Sequence, residues 1–64
     1  MREWLKKCRQ DRGLTQGVIA NLIGVNITTY GKYELGTRRP SVEKAKEIGK
    51  HLNLDWTMFF NESA

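Results

Sequence analysis

The chain has 64 residues, with eleven lysines and arginines against seven aspartates and glutamates and a net charge of +4, which leaves room for one basic domain, residues 1–64. Its single cysteine, Cys8, excludes an internal disulfide, and together with the lone His51 it falls short of a structural zinc site of four Cys or His ligands. No apolar run approaches the roughly 20 residues that span a bilayer, and the opening MREWLKKCRQDRG is too charged for a cleavable signal, so a cytoplasmic protein with a polyanionic partner is expected.

Several segments have helical spacing, and none alternates long enough to argue a strand. The first predicted helix covers residues 2–12, placing Trp4, Leu5 and Cys8 on one face and stopping at Gly13 in the left-handed manner that glycine permits. A second helix starts after Thr15, an N-cap type, carries Val18, Ile19, Leu22 and Ile23, and ends at Gly24. The third follows Asn26, another cap, sets Ile27, Tyr30 and Tyr33 three apart, and stops at Gly36. Pro40 and Ser41 open a fourth, whose stripe is Val42, Ala45, Ile48 and Leu52. Asp55 caps a short fifth, WTMFF, expected to lid the core, after which residues 61–64 are expected to fray.

The turn between the second and third helices is short. A glycine at its start allows the reversal that a Cβ would obstruct, and Ala20, one turn earlier on the same face, lets the next helix come close. The predicted fold is therefore all-α, a compact five-helix unit with a helix-turn-helix at helices 2 and 3. In that motif the outer face of the second helix projects from the domain and fits the major groove of DNA.

At this point the chain resembles the phage-repressor and Cro-like helix-turn-helix proteins, the Xre family. The resemblance rests on CRQDRGLTQ, IANLIGV, YELGTRRPS and IGKHLNLDWTMFF, which together span nearly the whole sequence. It implies a transcriptional regulator, repressor-like, that binds double-stranded DNA as a homodimer on an inverted repeat, from a phage or mobile element of a bacterium. It assigns Ile27, Thr28 and Lys32 to the bases, and Gln16, Asn26, Arg38 and Arg39 to the DNA backbone. It also assigns Arg9 and Glu34 to an internal ion pair. Leu35 stands where the family pattern has a polar residue, and Gly17 and Gly31 lie inside helices, where glycine costs about 1 kcal/mol relative to alanine. Gly31 is open to a functional reading, a closer approach of the helix to DNA.

Other readings stand beside these. Arg38, Arg39, Lys32, Thr28 and Thr29 could form an ordinary solvated surface. Ile27 is open to two uses, contact with a thymine methyl or a staple beside Val25. Tyr30 and Tyr33 are expected in the core, not stacked on bases, and Cys8 is expected there as a small hydrophobe, with His51 facing solvent. Trp56, Phe59 and Phe60 are core first and a candidate dimer patch second, and the pairing is expected to be weak. No glycine-rich phosphate loop, acidic metal cluster or paired nucleophile is present, so no enzyme, cofactor or metal is expected. Two rival functions remain: an antitoxin-type regulator that also binds a toxin, and a protein-interaction module on the same fold.

Overall fold

The chain enters most of its helices on a side chain that accepts a backbone N–H, and these caps fix where each element begins. The computed structural model describes residues 1–61. In it, α1 (Glu3–Asp11), α2 (Gln16–Ile23), α3 (Ile27–Leu35) and α4 (Val42–Leu52) are followed by a 3₁₀ helix, Trp56–Phe60. Thr15 Oγ1 accepts from the Val18 N–H at 3.2 Å, Asn26 Oδ1 from Thr29 at 2.7 Å, and Ser41 Oγ from Lys44 at 3.2 Å. Asp55 Oδ1 accepts from Thr57 at 3.0 Å and opens the closing turn. Each bond satisfies a donor that the helix leaves orphaned at its first turn.

The predicted short fifth helix is present as a 3₁₀ helix. Five residues are too short a run to propagate an α-helix, and the tighter turn is common in such short pieces. The described residues contain no strand. The expected fraying of residues 61–64 falls, beyond Asn61, outside the described residues.

One core joins all the elements: Leu5, Ile19, Ala20, Ile23, Tyr30, Tyr33, Ala45, Ile48, Leu52 and Phe59 are buried, with Trp4, Cys8, Leu14, Val25, Leu54, Trp56 and Phe60 packed on it. The covered stripes are narrower than the sequence predicts. Val18, Leu22 and Val42 are exposed at 46%, 46% and 48%, outside the part of α2 and α4 that the neighbouring elements cover. His51, expected in solvent, is half-buried. Gly49 is wholly buried in α4: a Cβ there would stand 2.9 Å from the Leu54 carbonyl oxygen and 3.1 Å from Trp56 Cβ, so the chain can fold back over α4 only at glycine.

Candidate nucleic-acid interface

α3 is the element to which the site residues refer, and both of its ends are sharply set. Gly24 (φ +74°) precedes it and Gly36 (φ +87°) ends it, each in the left-handed region that a side chain disfavours. α2 packs most extensively on α3, and Ala20 is buried in the core at 2% exposed. The inner side of α3 buries Tyr30, Tyr33 and Glu34, leaving Ile27, Thr28 and Lys32 exposed on the other.

The inner side is held by charge. Arg9 Nε donates to Glu34 Oε2 at 2.6 Å and Nη2 to Oε1 at 3.3 Å, a forked pair buried at both ends. Arg9 Nη1 also donates to the Leu14 carbonyl at 2.7 Å. The expected ion pair is therefore present. Gln16 joins it, its Nε2 donating to Glu34 Oε1 at 3.0 Å, which ties the start of α2 to the end of α3 and orients the amide with its nitrogen inward. The Tyr30 hydroxyl is buried beside the pair without a hydrogen bond of ordinary geometry.

These neighbours shift one another's protonation. Burial pushes the Glu34 carboxyl up, but Arg9, Gln16 and Tyr30 together outweigh burial and hold it below its ordinary value. Hydrogen bonding to Glu34 raises the Arg9 guanidinium further. Burial, reinforced by the Glu34 carboxylate, pushes the Tyr30 phenol well above its usual range.

Arg2 and Lys44 are structural ties that sequence reasoning missed. Arg2 is 6% exposed: its Nη1 donates to the Tyr33 carbonyl at 2.6 Å and the Arg38 carbonyl at 2.9 Å, and its guanidinium lies 5.4 Å over the Phe59 ring. It thereby ties the end of α3 to the basic loop after it. Lys44 Nζ donates to the Ile23 carbonyl at 2.7 Å, capping the last turn of α2. Neither role has a local signal, since every acceptor is a backbone oxygen far along the chain.

The predicted backbone-contact residues divide. Asn26, Arg38 and Arg39 line one open groove of about 430 Å³ between the first turn of α3 and the start of α4, with Ser41 and Lys44 on its rim. Two helix N-termini and the loop arginines make this groove favourable to anions. Arg39 also leans on the closing segment, its guanidinium 5.4 Å from the Phe60 ring centre. Gln16 lies apart, at the Arg9–Glu34 pair, with its carbonyl oxygen toward Gly31. Ile27 Cδ1 rests over Gly17, 3.6 Å from where a Cβ would be, so Ile27 lies partly on α2 while remaining 54% exposed. Among the described residues no group of three or more His, Cys, Asp or Glu is placed to hold a metal, and no helix is long and apolar enough to cross a membrane.

Comparison with known proteins places this geometry in a family. Residues 5–59 match the family model described as helix-turn-helix. The chain is 45% identical over 62 residues to the uncharacterized HTH-type transcriptional regulator YqaF of Bacillus subtilis (strain 168), covering 97% of this chain and 82% of that one. It is 35% identical over 52 residues to the SPbeta prophage-derived uncharacterized HTH-type transcriptional regulator YonR of the same organism, covering 81% of this chain and 48% of that protein. It is 39% identical over 46 residues to the cryptic phage CTXphi transcriptional repressor RstR of Vibrio cholerae, covering 72% and 41%. The chain thus spans most of the first relative and under half of the other two.

Proposed function

The chain belongs to the helix-turn-helix family, and from that premise we propose that it is a repressor-type transcriptional regulator that reads duplex DNA by laying α3 in the major groove. The observation that carries this reading is the uncovered side of α3. Ile27, Thr28 and Lys32 are exposed together on a helix whose opposite side is locked by a buried ion pair. A rigid helix with exposed polar and apolar groups is what direct readout requires. Lys32 supplies a donor, Thr28 a hydroxyl, and Ile27 an apolar contact for a thymine methyl. Arg38, Arg39 and the groove beside Asn26 hold the flanking phosphates, and Gln16, apart from that groove, offers its remaining N–H to a further one. The names of the relatives, regulators and a phage repressor among them, favour the same reading and a phage or mobile-element origin.

One α3 spans few base pairs, so a second copy is needed for discrimination, and the site is an inverted repeat with half-site centres about 10 base pairs apart. The pairing surface is the end of α4 with the closing segment, where Met58 is 38% exposed and Trp56 and Phe60 are half-covered. So small an apolar area gives a weak dimer that forms on DNA. The test is selection of bound duplexes from a random pool. The expected product is a symmetric site whose preference shifts in Thr28→Ala and Lys32→Ala but is only weakened uniformly in Arg38→Ala. Failure to retain any duplex would reject the reading in favour of a protein-interaction module, for which exposed Val18, Leu22 and Leu35 speak.

A further inference from the structure

The glycines inside the helices are not equivalent, and the difference points to the outward side of α3. Gly49 is required by the fold, because backbone oxygen and Trp56 occupy the space of its Cβ. Gly31 has no such reason. Its backbone is ordinary helix, and a Cβ there would meet only Gln16 Oε1, at 3.8 Å, an unstrained contact. Alanine would therefore fit, and would favour the folded state by about fivefold through helix propensity alone. The fold gains nothing from glycine at this position.

What glycine leaves is a notch. Ile27 and Leu35 stand one turn before and one turn after Gly31 on the same side of α3, each 54% exposed, with bare backbone between them and the Gln16 carbonyl oxygen beside it. The walls are apolar, and exposed Lys32, adjacent in sequence, adds a cation. A charged partner that also carries a small apolar knob fits such a surface. In the major groove of DNA the one apolar group on a base edge is the 5-methyl of thymine.

We propose that the Gly31 notch between Ile27 and Leu35 receives a thymine 5-methyl group, making Gly31 a specificity-determining position through the side chain it lacks. The proposal rests on the reading of α3 as the groove helix. It gives Leu35 a use that a polar residue would not have, as the second wall of the notch, and it gives Gln16 a fixed place at the side of the seated base pair.

The experiment takes the duplex selected by the parent protein from a random pool and remakes it with deoxyuridine in place of each thymine in turn, which removes only the methyl group. At one thymine per half-site the parent should lose about fourfold in affinity, the worth of one buried methyl. Gly31→Ala should melt at or above the parent temperature, bind the thymine duplex no better than the parent binds the deoxyuridine duplex, and no longer distinguish the two. A Gly31→Ala protein that keeps the parent's affinity and its thymine-to-deoxyuridine ratio overturns the notch. If Thr28→Ala and Lys32→Ala still shift base preference in that case, α3 remains the groove helix and only the notch is lost. If they shift nothing, both readings fall together.

Discussion

α3 and the closing 3₁₀ helix both press aromatic rings onto one core, yet they are held by different forces. Tyr30 and Tyr33 arrive with Glu34, and the helix that carries them is tied by Arg9, Gln16 and Arg2 through directional, charge-assisted bonds. The closing segment is held by ring contacts, Trp4 on Phe59 at 5.0 Å and the Arg2 guanidinium 5.4 Å over the same ring, and by the close approach at Gly49. Directional bonds fix how a helix is turned about its own axis, which an element must have fixed if its outer side is to read bases. Apolar contact fixes only that surfaces touch, which suits an edge that another copy can cover.

The sharpest way to break this contrast is at the ion pair. Glu34→Gln or Arg9→Met should each cost about 3 to 5 kcal/mol in urea unfolding, because the partner is left as a buried charge without its counter-ion, while the double variant should cost less than the sum. Single variants as stable as the parent would show that apolar packing alone holds α3.

The pH dependence should carry the same signature at both ends. The Glu34 carboxyl lies below its ordinary 4.5, so the unfolded chain takes up the proton first as pH falls. Its contribution is full above about pH 4.5 and is lost as pH falls through the lower folded value. The Tyr30 phenol is raised above its ordinary 10.0, so its contribution is full below pH 10 and declines above it. Glu34→Gln should flatten the acid limb, as followed by thermal melts across pH.

On the other side of the comparison, Gly49→Ala should cost about 1 to 3 kcal/mol, the range for overpacking, and shift Trp56 fluorescence while amide exchange in α3 keeps its pattern. Equal disturbance of α3 would mean that the two regions are not separately held. The smallest effect belongs to Lys46→Gln. Its ammonium lies 5.2 Å from the Trp56 ring centre, and such an exposed contact is worth about 0.5 to 1 kcal/mol.

Much of this was legible in the sequence because it is local. Thr15, Asn26, Ser41 and Asp55 cap the N–H groups two or three residues ahead, and Gly24 and Gly36 take the left-handed turns that end α2 and α3. The Arg9–Glu34 pair was reachable only through the family resemblance, since the two residues lie 25 apart. Val18, Leu22 and Val42 show what periodicity omits: it finds the apolar side of a helix and says nothing of how wide a neighbour covers it. Arg2 was invisible, a cation by composition and a buried tie by structure, as its acceptors lie 31 and 36 residues away. Gln16, expected at a phosphate, also has its nitrogen committed to Glu34, a bond between two helices that no spacing within either one discloses.

The two buried arginines of the N-terminal segment, Arg2 and Arg9, bear on how the molecule is made. A ribosome delivers Arg2 and Arg9 well before most of their acceptors, since beyond the Leu14 carbonyl the oxygens that satisfy them belong to Tyr33, Glu34 and Arg38. Until residue 38 has cleared the exit tunnel, docking α1 would bury cations without most of the oxygens that receive them, so the first helix must wait in water. That helix docks only when the loop beyond α3 arrives, so α1 joins the domain after α2 and α3 have both been made.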